Sequence, residues 1–127
     1  MKERILFVGP VSSREKLYEM YDIAKVMVLP SRWESFGIVL AEALSRGCRI
    51  IATEEVPPIK EITNNGKYGY VVAADDIDGL AKAMVRITKD DYSEEAITEI
   101  KQYAKEIFSW DVICGKLYKL MQEKTEK

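Results

Sequence analysis

Apolar residues in this chain come in two alternating kinds of run. Short β-branched stretches at residues 4–8 (RILFV), 25–29 (KVMVL), 48–52 (CRIIA) and 68–73 (YGYVVA) read as four strands. Between and after them the apolar period lengthens to that of a helix. Residues 14–24 place Leu17, Met20, Tyr21 and Ala24 on one face, behind a turn and cap at 11–13. A second helix is predicted over 37–46, with Gly47 ending it. Pro57 and Pro58 open a short turn or a single helical turn that ends near Ile62, and Asn64-Asn65-Gly66 forms a turn. Asp75 or Asp76 caps a helix reaching Thr88, with Leu80, Ala83, Met84 and Ile87 on one side. The remainder reads as two helices, over 93–108 and from 109 to about 123.

The second and third strands are nearly continuous apolar runs, as expected of parallel strands covered on both faces. The class is therefore α/β: a Rossmann-like parallel sheet of about four strands with flanking helices, in one domain over residues 1–127. In such sheets ligands lie beyond the carboxyl ends of the strands, so the loop after each strand is where chemistry is expected.

Composition narrows that chemistry. The chain has no histidine, which excludes Ser-His-Asp and Cys-His nucleophile pairs and any zinc site with His ligands. Cys48 and Cys114 alone do not make a disulfide framework or a thiolate cluster. Nineteen basic against twenty-one acidic residues give a net charge of −2, with no basic block that reads as a nucleic-acid tail. Free thiols, no leader-like segment and no long apolar run predict a cytoplasmic protein without a transmembrane segment. Carboxylates, backbone amides, lysines and arginines remain.

The informative loop follows the second strand: Pro30-Ser31-Arg32-Trp33-Glu34-Ser35-Phe36-Gly37, leading into the apolar helix that contains Glu42. Free N–H groups at the start of that helix suit a phosphate, and Gly37 has no side chain to hold a ligand away from them. Each feature also has a purely structural explanation. Glu34 is favoured near a helix start by the macrodipole, Ser35 is a possible N-cap, and Glu42 stands four residues before Arg46.

Taken together, Tyr21, residues 26–31 (VMVLPS), Glu34-Ser35-Phe36-Gly37 and Glu42-Ala43 resemble the donor-binding half of group 1 glycosyltransferases, which are retaining enzymes of the two-domain GT-B fold. Two glutamates separated by seven residues are the family's signature, and Glu34 and Glu42 have that spacing. The similarity continues through Gly47, residues 50–52 (IIA), Glu61-Ile62, Gly66 and Gly69, and reaches Phe108-Ser109-Trp110.

The resemblance implies a set of roles. Glu34 is the expected catalytic carboxylate and accepts hydrogen bonds from the donor sugar, joined by the amides of Ser35, Phe36 and Gly37. The amides of Gly37, Ile38 and Val39 face the diphosphate, and Glu42 accepts both ribose hydroxyls. Val11, in the loop after the first strand, lies at the base-binding edge. Phe36 is expected to pack inward beneath the loop, whereas Trp33 fits either core or sugar contact. The donor is a nucleotide-diphosphate sugar, with no separate cofactor and no obligatory metal.

The family's Arg and Lys on the diphosphate come from a segment that does not occur in this sequence, and Arg14, Lys16 and Arg32 do not take their places. Its Gly-rich approach to the acid at 61 is replaced by Val56-Pro57-Pro58. The chain is thus expected to be a partial donor-binding domain lacking the N-terminal acceptor domain and inactive alone. The alternative is a non-catalytic nucleotide-sugar-binding subunit, or a domain of a split enzyme that docks on a partner chain. In a complete domain two more strands would lie between 4–8 and 25–29. Here the first strand is expected to move in beside the second. The C-terminal helices, with Trp110, Ile113, Leu117, Tyr118 and Leu120, are expected to cover the gap or form a homodimer contact. Contact with a membrane periphery is expected in the full-length enzyme.

Overall fold

The computed structural model describes residues 4–125; the first three and last two residues of the expected domain lie outside the described residues. Three parallel strands, β1 (Val26–Leu29), β2 (Arg49–Thr53) and β3 (Gly69–Val72), form one sheet in the order β1-β2-β3. Val26 stands opposite Arg49, and Ile50 opposite Gly69, so the strands start nearly level. Every residue of the central strand β2 is buried. Both of its faces are covered, which is why CRIIA lacks the alternation of a half-exposed strand.

Helices cover the two faces unequally. Ile50 and Ala52 of β2 and Met27 and Leu29 of β1 point to the larger core cluster, with Leu40, Ala43 and Leu44 of α2 (Ile38–Ser45) and Ile100 and Ala104 of α5 (Glu94–Phe108). Tyr21 of α1 (Arg14–Ile23), with Ile59 and Ile62 of the one-turn α3 (Ile59–Ile62), completes it. On the opposite face Ile51, Val26 and Val28 meet Ala83, Ile87 and Leu80 of α4 (Ile77–Ile87). The layers are therefore helix, sheet, helix. The last helix, α6 (Trp110–Thr125), packs mainly on α5.

Local sequence explains where these helices begin and end. Ser13, Asp76 and Ser93 each accept an N–H of the first turn they cap. At the end of α2, Gly47 has φ +93°, its N–H donates to the carbonyl of Leu44, and that of Cys48 donates to Ala43. These two bonds are a Schellman closure, which favours glycine at that position.

The first predicted strand does not form. Residues 5–8 have no regular structure, and their side chains are 53–92% exposed. Among the described residues β1 pairs only with β2, so the sheet has three strands, not four. The RILFV composition favours a strand, but a strand is stabilised by its neighbour and this one has none. Nor does α6 close the open side: β1 is half-buried throughout, and Trp110, Leu117, Tyr118 and Leu120 remain exposed. No helix of the described residues is long and apolar enough to cross a membrane.

Candidate functional site

The loop from β1 to α2 leaves the carboxyl end of the sheet, and contacts at both its ends shape it. Near its start, the Thr53 hydroxyl at the end of β2 donates to the Ser31 carbonyl. Arg32 Nε lies 2.6 Å from Asp75 Oδ1, which joins this loop to the one that follows β3. At its far end Gly37 is the N-cap of α2 with φ +75° and ψ +46°. Gly37 is buried, and a Cβ there would stand 3.1 Å from Val56 Cγ1 and 3.3 Å from Leu40 Cδ1. Both the left-handed backbone and the close packing require glycine at this corner.

The start of α2 is consequently bare. Gly37 offers no capping side chain, and the first turn contains no acid. The Leu40 N–H turns back to the Gly37 carbonyl at 2.8 Å, whereas those of Ile38 and Val39 have no acceptor among the described residues. Ser35 is therefore not the N-cap. Its N–H donates to the carboxylate of the preceding residue, Glu34, at 3.0 Å. Glu34 is half-buried and Ser35 exposed.

Glu42 lies one turn along α2 from Ile38. The expected pair with Arg46 is absent, because the Arg46 guanidinium turns to Asp22 of α1 instead. The Glu42 carboxylate is half-buried and has no hydrogen-bond or ion-pair partner among the described residues. Its field reaches the buried Tyr21, whose phenol pKa is raised first by burial and then by the Glu42 charge. An acceptor with two free oxygens, partly withdrawn from water, is suited to a vicinal diol.

Phe36, Ile38 and Glu42 line one cavity of about 500 Å3, closed on its other side by Phe108, Trp110 and Ile113. Phe36 is 43% exposed at this cavity, which corrects the expectation that it packs inward. Its ring instead lies beside Ile38 and Trp110 in the lining of this cavity, outside both core clusters. Trp33 is 93% exposed and belongs to no core cluster. Val39 is half-buried against the larger cluster. Val11 is half-buried in the irregular stretch before α1 and lines neither this cavity nor the one beside Arg32.

That second cavity, of about 460 Å3, lies over the carboxyl ends of the strands between Pro30, Thr53, Val72 and Ile77, with Arg32 and Asp75 at its polar side. Of the two aspartates that could cap α4, Asp76 does so, its Oδ1 accepting the Gly79 N–H at 2.8 Å. Asp75 has φ +63° and turns to Arg32. No local signal marks a pair formed across 43 residues. Glu61 contributes a structural contact: its carbonyl accepts the Tyr103 hydroxyl.

Comparison with known proteins gives a consistent result. Residues 1–107 match the family described as "Glycosyl transferases group 1". The chain is 29% identical over 121 residues to the phosphatidyl-myo-inositol mannosyltransferase of Mycobacterium leprae, covering 94% of this chain and 32% of that protein. It is 35% identical over 91 residues to the N-acetyl-alpha-D-glucosaminyl L-malate synthase of Bacillus anthracis, covering 72% of this chain and 23% of that one. Among solved structures, sucrose-phosphate synthase from Thermosynechococcus elongatus superposes with a TM-score of 0.78 at 28% identity, over 98% of this chain and 31% of the other. The chain thus spans about a third or less of the length of these relatives.

Proposed function

The chain belongs to the group 1 glycosyl transferases, and from that premise we propose that it is the donor-binding part of a retaining enzyme that uses a nucleotide-diphosphate sugar. One observation carries this reading. Among the described residues the amides of Ile38 and Val39 have no acceptor and the Glu42 carboxylate one turn on has no partner, and Ile38 and Glu42 line the same cavity. A pyrophosphate requires aligned donors and a ribose requires a two-oxygen acceptor, and this helix offers both within one turn.

On this reading the amides of Gly37, Ile38 and Val39 receive the diphosphate and Glu42 receives the ribose hydroxyls. The donor sugar lies against Glu34 and the loop amides of Ser35, Phe36 and Gly37, and Val11 borders the base. Ser35 gives up its bond to Glu34 when the sugar arrives, leaving the carboxylate to accept sugar hydroxyls. Negative charge grows on the diphosphate as the anomeric bond breaks, so fixed amide donors at the helix start stabilise the leaving group. The acceptor site comes from another domain or a partner chain. The enzyme works in the cytoplasm, at the periphery of a membrane.

Calorimetric titration with a nucleoside, its monophosphate and its diphosphate tests the reading. Affinity is expected to rise stepwise to the diphosphate. Equal affinity for the nucleoside and its diphosphate contradicts the role of the helix start.

A further inference from the structure

The register between β1 and β2 ends at the pair Leu29–Ala52, and Pro30 beyond it has no N–H to offer. One side chain carries the tie past that point. Thr53, the last residue of β2, is 3% exposed, and its hydroxyl donates to the carbonyl of Ser31. Thr53 is itself held from the other side. It stands opposite Val72 of β3, and the Glu54 N–H donates to the Val72 carbonyl at 3.0 Å. The same segment reaches the far end of the loop. Val56 is fully buried, its N–H donates to the Thr53 carbonyl at 3.3 Å, and its Cγ1 lies 3.1 Å from where a Gly37 Cβ would stand.

The end of β2 therefore grips the loop twice, at Ser31 through Thr53 and at Gly37 through Val56, with Glu34 and Ser35 between the two anchors. The Arg32–Asp75 pair is exposed and screened. The Thr53 hydroxyl is uncharged and withdrawn from water, so its hold does not fade with salt. We propose that Thr53 is a positioning residue of the donor site. Its hydroxyl fixes the height of the loop above the sheet, and with it the places of Glu34 and of the start of α2. A strand-end threonine that merely satisfied a carbonyl would add stability and leave nucleotide affinity unchanged. This role of Thr53 rests on the donor-site reading above and deepens it.

Calorimetry tests it with whichever of UDP, ADP and GDP the native chain binds most tightly, alongside hydrogen exchange at the Ser35, Phe36 and Gly37 amides. T53V keeps the shape of the side chain and removes the hydroxyl, whereas T53S keeps the hydroxyl and removes a methyl. T53V is expected to weaken diphosphate binding roughly fivefold, the worth of one ordinary hydrogen bond, and to speed exchange at the three amides by a similar factor. T53S is expected to stay within about twofold of the native chain in both, because it keeps that bond. Circular dichroism checks that the variants fold, and T53A supplies a second hydroxyl-free variant should T53V not fold. Unchanged affinity or unchanged exchange in T53V, or a T53S chain as impaired as T53V, would overturn the proposal. A native chain that binds none of the three nucleotides contradicts the donor-site reading instead, and in that case faster exchange in T53V, restored in T53S, still shows the hold of Thr53 on the loop.

Discussion

Arg32 Nε lies 2.6 Å from Asp75 Oδ1 and joins the loop after β1 to the loop after β3. The two side chains are 80% and 64% exposed, so the pair is screened and contributes little to global stability. Asp75→Ala is expected to change the free energy of urea unfolding by at most about 1 kcal/mol, and an Arg32 and Asp75 double-mutant cycle is expected to give a coupling that shrinks with salt. Its effect should instead be local. Hydrogen exchange at the Ser35, Phe36 and Gly37 amides is expected to accelerate in Asp75→Ala, and unchanged exchange there contradicts a role in holding the loop.

Gly37 combines φ +75° with Val56 Cγ1 3.1 Å from where a Cβ would stand. An alanine must bear the left-handed conformation and displace Val56 or Leu40. Gly37→Ala is expected to destabilise the chain by about 1–3 kcal/mol, read from urea unfolding, and to weaken nucleotide binding beyond that loss.

Two other glycines provide a contrast. A Cβ on Gly69 would lie 2.0 Å from the Ile50 carbonyl oxygen, a clash with neighbouring backbone that no rotamer relieves. Gly69→Ala is expected to separate β2 from β3 and abolish cooperative unfolding. Gly115, within α6, has nothing within 4 Å of its Cβ position. Gly115→Ala is expected to raise helix stability by about 0.5–1 kcal/mol, visible as increased ellipticity on mild heating.

The two thiols are expected to behave differently. Cys48 is buried, its Sγ 3.2 Å from the Tyr21 carbonyl oxygen, and burial followed by the nearby Asp22 charge raises its pKa from 9.0 to about 11. Cys114 is exposed. A thiol reagent at neutral pH is expected to label one cysteine in the folded chain and both in urea. The unfolded thiol ionises near 9 while the folded one stays neutral. Stability from this group is therefore complete below pH 9 and is lost as pH rises through about 11. Buried Tyr21, whose pKa is also raised, acts in the same direction. Urea midpoints that are flat from pH 8 to 11 would contradict this.

The extent to which the sequence anticipated the fold depended on whether a feature is local. Ser13 and Asp76, one of the two aspartates expected there, cap their helices, Gly47 closes α2, and Ser93 caps the helix read as starting at 93, because caps are set by a few neighbouring residues. The buried β2 was legible from its unbroken apolar run. Residues 5–8 have the composition of a strand yet form none, because composition says nothing about whether a neighbour is present. Glu34 and Glu42 stood out through the resemblance to group 1 glycosyltransferases, whose signature has that spacing; two acids seven residues apart carry no such meaning alone. That Arg46 chooses Asp22 over Glu42 required the packing of α1 against α2, and no pattern within either helix records it.

Glu42 as a ribose acceptor is the most exposed point of the account, and comparing a ribonucleoside diphosphate with its 2′-deoxy analogue tests it most directly. Calorimetry is expected to give Glu42→Ala a tenfold or greater loss for the ribonucleotide, about the worth of a hydrogen bond to a charged group, and a smaller loss for the deoxy form, which keeps only its 3′-hydroxyl. Equal affinities of the native chain for both nucleotides, or a ribonucleotide affinity unchanged by Glu42→Ala, would contradict the assignment.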